Sequence, residues 1–273
     1  AKDSAAQKIV SAVTAIGFVM QPVAALASTI TRTDGGAEVK FNNNVADVFA
    51  GKVVGDVAIN KFAEFKLDAN NIANMYFGKD KANDSAANLV NFVDSRIDIN
   101  GTVNAIQNQK IGGNLFFFSS DGMAVGKTGV INAGALYVAT PTRTKFDEYK
   151  QFVAQDKFDT IIKDEGFAQI PINASGTISV LGQVNAVNAV NLRAAKIGVG
   201  KNVSKDDIGD VAAGATATGA SIRTGVVKFK DLVNIQNEDA SVDAGLDGKL
   251  TAKQTGSGDI VLAAYNNYDD NYR

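Results

Sequence analysis

Asp121–Thr128 (DGMAVGKT) has the residue types of a phosphate-cradling loop: glycines, a lysine and a terminal threonine. Such a loop needs four residues between its first glycine and the Gly-Lys pair, and it must open a helix. Gly122 leaves only three before Gly126, and the required position holds Asp121, whose carboxylate would repel a phosphate. The following residues, Gly129-Val130-Ile131-Asn132-Ala133-Gly134, make a poor first helical turn, because glycine and β-branched residues are costly there. The expected structure is turns between short strands, with Gly122, Gly126, Gly129 and Gly134 turning the chain, and no nucleotide site.

Other chemistries are bounded by what the chain lacks. It contains no Cys and no His, which removes thiol nucleophiles, disulfides, Cys/His zinc sites and every triad with an imidazole base. Acidic residues cluster at Glu238, Asp239, Asp243 and Asp247, but without the ligand order of a calcium loop, so they read as solvated loops. Paired carboxylates in a groove could hydrolyse glycosidic bonds, yet nothing marks such a pair. The glycosylation-type triplets at Asn83, Asn100, Asn173 and Asn202 are expected by chance in a chain with 25 asparagines. No metal or cofactor is expected, and the chain reads as a non-enzyme. A net charge of −2 gives no electrostatic case for nucleic acid.

The first 27 residues have a separate logic. Lys2 and Lys8 precede the apolar run Ile9–Met20, Gln21-Pro22 breaks it, and Ala25-Leu26-Ala27 follows. Basic, apolar and small-x-small regions in that order describe a secretory signal cut after Ala27. The run is shorter than the roughly 18–20 residues a membrane span needs. The chain starts with Ala, so a longer signal is expected ahead of it, with residues 28–273 as one exported domain cut from a larger protein.

From Val53 onward the pattern is short alternating runs broken by Gly, Asn and Asp, as in Arg96–Ile106, Gly176–Ala186 and Gly258–Ala264. Alternation over four to eight residues signals strands with one buried face. A sandwich, a barrel or a β-solenoid all fit. Three features favour the solenoid. The phrases NGTVNAI, SGTISVLGQVNAV and TGVINAGAL repeat one strand–turn idea. The strands are short and rich in Ala, Val and Ile, which suits a narrow core. Asparagine, expected at turns, can also stack as an amide ladder. At about 20 residues per coil, roughly ten to twelve rungs are expected. One segment departs: in 143–166, Phe146, Tyr149, Phe152 and Val153, then Phe158, Ile161 and Ile162, recur at helical spacing. One or two short helices are expected near 144–163, packed on the flank, with Thr144 and Asp147 as a weak capping box. The alternative is a partner-binding helix.

The order of three phrases carries a family resemblance: NKFAEFKLDANNIANMYF (Asn60–Phe77), NLVNFVDSRIDINGTVNAI (Asn88–Ile106) and GGNLFFFSSDGMAVGKTGVINAGALYVATPT (Gly112–Thr142). It resembles the secretion domain of two-partner-secreted exoproteins, the filamentous-haemagglutinin type N-terminal domain, and within it leukotoxin-type filamentous adhesins. The later phrases Phe229–Ala252 and Gly256–Asn266 look like its continuation. The resemblance implies an all-β, right-handed parallel β-helix with an N-terminal cap. It implies export to the periplasm of a Gram-negative-type bacterium and recognition by an outer-membrane barrel transporter with periplasmic POTRA domains. The larger exoprotein would act at the cell surface as an adhesin or cytolysin. The family's Asn-Pro-Asn-Gly-Ile motif maps onto Ser119, Ser120, Asp121, Gly122 and Met123; its Asn-Pro-Asn-Leu motif has no counterpart. The expected recognition residues are therefore Asn91, Asn100 and Ser119–Met123. The rival functions are a passive adhesin module and a β-helix polysaccharide enzyme.

Overall fold

Near the start of the folded region, short alternating runs joined by tight turns form antiparallel pairs. A computed structural model describes residues 28–33, 35–159, 161, 166–225 and 259–264. Strand β1 (Thr29–Arg32) lies antiparallel on β5 (Val57–Leu67), and β4 (Lys52–Val54) lies antiparallel on the start of β5. Strands β2 (Ala37–Asn42) and β3 (Val45–Ala50) form a hairpin. Its turn places Asn43 at φ 53°, a left-handed conformation that asparagine tolerates.

Beyond this end the pairing is almost wholly parallel and the sheet is not closed. The remaining strands are β6 (Ile72–Tyr76), β7 (Asn88–Val93), β8 (Ile97–Ile99), β9 (Thr102–Gln107) and β10 (Lys110–Ile111). They continue with β11 (Asn114–Phe118), β12 (Gly122–Val125), β13 (Val130–Ala139), β14 (Thr177–Val180) and β15 (Gln183–Ala194). Last come β16 (Lys196–Val199), β17 (Ser221–Arg223) and β18 (Asp259–Ala264). Only β10, on β9, is antiparallel among these.

Three parallel ladders result. The first runs β5–β7–β11–β13–β15–β18. The second runs from the end of β5 through β8, β12, β14 and β16. The third runs β3–β6–β9–β13–β15–β17. Strand β13 begins in the third ladder and ends in the first, shifting register between Ala133 and Ala135. Gly134 therefore bends a strand rather than joining two, a correction to the expected turn: a Cβ there would press on the Gly113 backbone.

Parallel register lines up like residues. Leu89, Leu115, Leu136 and Val190 form one column; Val103, Ile131, Val184 and Ile222 form another. All eight belong to the main core, and burying each such side chain contributes about 1.5–3 kcal/mol. The third ladder has six strands among the described residues, fewer than the expected rungs. Partners on it are separated by 27, 30 and 28 residues, then by 53 across the helical insertion. Connecting loops consume more chain than the alternating runs reveal.

The run Leu115–Phe118 is apolar on both faces because both are covered. Leu115 and Phe117 join the main core, while Phe116 and Phe118 join a second cluster with Val90, Phe92 and the helix. Helix α1 (Arg143–Ala154) lays Phe146, Tyr149 and Val153 on that outer face. Its cap is Thr142, whose hydroxyl accepts from the Lys145 amide at 3.2 Å, not Thr144. Helix α1 ends at Ala154 and Asp156 follows at φ 61°; the chain is helical again at Phe158 and Asp159, within the span expected for one or two short helices. Phe158 and Ile161 still reach the same cluster. Residues 160 and 162–165 lie outside the described set, as do the signal segment 1–27, the acidic cluster 238–247 and most of the phrases after Phe229.

Candidate functional site

The corner between β11 and β12 is built from the five motif residues. The Ser119 hydroxyl donates to the Ser95 carbonyl at 2.8 Å, and the Gly122 amide donates to the Ser119 carbonyl at 3.1 Å. The Ser120 carbonyl accepts from Asn173 Nδ2 at 2.8 Å. Gly122 has φ 99°, and a Cβ there would collide with the Thr177 carbonyl, so glycine is required. Met123 pairs with Ile97 and Ile178 inside the second ladder. Ser119, Ser120 and Met123 are buried; Asp121 alone presents its side chain, 40 % exposed, and accepts from Arg143 Nη2 at 2.8 Å.

The other two expected residues sit elsewhere. Asn91 is fully buried on the core side of the first ladder, accepting from Asn60 Nδ2 and donating to the Phe116 carbonyl, both at 3.0 Å. Asn100 lies at the turn from the second ladder to the third, where its carbonyl accepts from the Thr128 hydroxyl at 2.6 Å. The seven residues thus do not form one surface. Six of them are held in structural roles, and Asn91, Ser119, Ser120 and Met123 are buried in the folded domain.

What the corner does offer is a groove. A cavity of about 610 Å³ beside Asp121 is lined by Arg96, Ser175, Lys196, Ser204 and Asp206. Arg96 Nε pairs with Asp98 at 2.7 Å, and its Nη1 reaches Asp206 at 3.4 Å. The lining mixes both charge signs and hydroxyls, which suits a polar partner surface better than an apolar ligand. Sequence reading missed Arg96, Lys196 and Asp206, because they arrive from three separate passes of the chain and no local spacing links them.

The loop that mimics a phosphate site is accounted for. Gly122–Val125 is strand β12, and strand β13 follows where a helix would be needed. Lys127 spends its ammonium on Asp210 at 2.9 Å, and that hydrogen bond and charge hold the Asp210 carboxyl below its ordinary value.

A second cavity, of about 530 Å³, lies between the first ladder and the chain following α1. Tyr137, stacked on Phe116 at 4.5 Å, forms a wall, with Asp56, Asn114 and Asp156 around it. Burial raises the Tyr137 phenol above its ordinary value, so it stays neutral. Among the described residues no group of three or more acidic side chains is placed to hold a metal ion, and no helix is long and apolar enough to cross a membrane. Set against known protein families and curated proteins, the chain matches neither a family model nor a curated protein.

Proposed function

We propose that this chain is the N-terminal secretion domain of a large surface adhesin or cytolysin. On this reading its ladders are the faces of a right-handed parallel β-helix. An outer-membrane barrel transporter recognises the domain through periplasmic POTRA domains, and the domain then seeds folding outside the cell. The observation that carries the reading is the circuit of the chain. Strands β7, β8 and β9 visit the first, second and third ladders in turn, and β11, β12 and the start of β13 repeat the visit one step along. The second and third phrases of the resemblance occupy these strands, and the first occupies β5 and β6.

Three physical features support the mechanism. A parallel stack contacts only neighbouring rungs, so each folded rung templates the next. Absence of cysteine leaves no disulfide to lock the chain in an oxidising periplasm. Partner recognition then falls to strand edges, which can add a strand from a POTRA sheet, and to the groove at Asp121. The test is secretion of a reporter fused to residues 28–273, with and without the cognate transporter. Release is expected only with the transporter. Exchanging Asp121 for Lys is expected to reduce release several-fold while leaving the fold intact, through repulsion at the groove. Transporter-independent release would overturn the reading.

One observation favours the passive-adhesin reading as a second function: the aromatic-walled cavity at Tyr137, whose carboxylates and amide suit a polar ligand. Loss of cell binding without loss of secretion in Tyr137→Ala would establish it.

A further inference from the structure

A line of side-chain hydrogen bonds runs along the third ladder from a carboxylate to a guanidinium. Asn74 Nδ2 donates to Asp47 Oδ1 at 3.1 Å, and Asn104 Nδ2 to Asn74 Oδ1 at 3.1 Å. Asn132 donates to Asn104, and Asn185 to Asn132, each at 3.0 Å. Arg223 closes the series, with Nε at 2.9 Å and Nη2 at 2.6 Å from Asn185 Oδ1. Backbone register puts all six directly opposite one another. Asn104, Asn132, Asn185 and Arg223 are buried. The remaining oxygen of Asp47 pairs with Lys81 at 2.9 Å.

Every link has the same sense, and chemistry at the ends dictates it. A carboxylate can only accept and a guanidinium can only donate. The amides between them must all point their NH2 groups toward Asp47 and their oxygens toward Arg223. Aligned links polarise one another and strengthen the series.

We propose that Asp47 to Arg223 is a polarised register lock, a conformational device that makes these six strands one assembly unit. As each strand of the third ladder is added, it leaves one amide oxygen facing forward. The next strand must bring a donor to that point, since a buried acceptor left unmet is costly. Asparagine continues the series; arginine, with two donors on one oxygen, ends it. The device needs no transporter, so its test is separate from the secretion reading.

The test is a coupling between two residues that do not touch. Substitutions at distant sites with no shared partner ordinarily add. In Arg223→Asp both ends of the line become acceptors, so one oxygen must face another somewhere along it. In Arg223→Asn the guanidinium is equally lost, but a donor remains. Adding Asp47→Asn to Arg223→Asp lets every amide rotate and the whole line reverse, with Asp at 223 as the new acceptor end. Unfolding of the full chain in denaturant is measured for each variant. Arg223→Asp is expected to raise the unfolding equilibrium constant roughly tenfold or more over Arg223→Asn, the cost of one buried unmet acceptor. Asp47→Asn alone weakens the protein by removing the Lys81 partner, yet is expected to restore stability in the Arg223→Asp background. If Arg223→Asp does not fold, recovery of folded protein in the double variant supports the lock. Additive effects, or a double variant no better than Arg223→Asp, would overturn it.

Discussion

The first and third ladders share strands β13 and β15 and the same parallel register, yet they hold that register by opposite means. The outer face of the first is a bed of rings: Phe92 on Phe118 at 5.5 Å, Phe116 on Tyr137 at 4.5 Å, and Phe158 edge-on to Phe116 at 5.1 Å, with α1 pressed over them. The third ladder carries the long amide series, where the first has the separate pairs Asn60–Asn91 and Asn88–Asn114. Ring packing is strong but nearly indifferent to direction. An amide series is weaker per link but has a sign. The ring bed adds cohesion without choosing a direction, and the amide series determines which residue meets which.

This contrast breaks in a defined order. The largest effect is expected from Phe118→Ala, which empties a site shared by Phe92, Phe116 and Tyr149. A loss of about 3–5 kcal/mol is expected in denaturant unfolding, and Phe118→Leu should recover a good part of it by refilling volume. Asn132→Ala should cost less, about 2–3 kcal/mol, by stranding the Asn104 oxygen and the Asn185 amide together. Here a larger apolar residue should not help. If Asn132→Leu matched the wild type, the two ladders would be held alike and the comparison would fail.

The smallest effect concerns the loop that carries the chain from β6 in the third ladder to β7 in the first. Asp80 accepts from Asn83 Nδ2 and from the amides of Ala82 and Asn83, which holds its carboxyl below the ordinary value. A lowered folded pKa means the contribution is present above the unfolded value of about 3.8 and fades as pH falls through the folded one. Hydrogen exchange at the Ala82 and Asn83 amides should accelerate below that point, while core amides of either ladder stay unchanged.

Much of the mostly-β character was legible. The alternating runs Arg96–Ile106 and Gly176–Ala186 announced strands, and the spacing of Phe146, Tyr149 and Val153 announced a helix on the flank. Asparagine was harder to read. Asn43, Asn70 and Asn108 take positive φ at turns as their chemistry suggests, but Asn60, Asn74, Asn91, Asn104, Asn132 and Asn185 lie within strands. Alternation tells which face a residue is on. It does not tell what lies opposite, because that depends on loops of unequal length between strands. The groove at Asp121 was hidden for the same reason. Asn91, Ser119, Ser120 and Met123 looked available for recognition because a motif has no depth; folding buries them.

The antiparallel strands at the near end have one further effect. Strand β4 shields the start of β5, β1 shields its second half, and β2 shields β3, so the leading edge of each parallel stack meets a strand running the wrong way. A second molecule arriving head-to-tail cannot extend the parallel order past that end. Stacked β-sheets invite fibril growth wherever an edge stays open to its own kind. Here chain direction alone keeps the parallel order from continuing past that end.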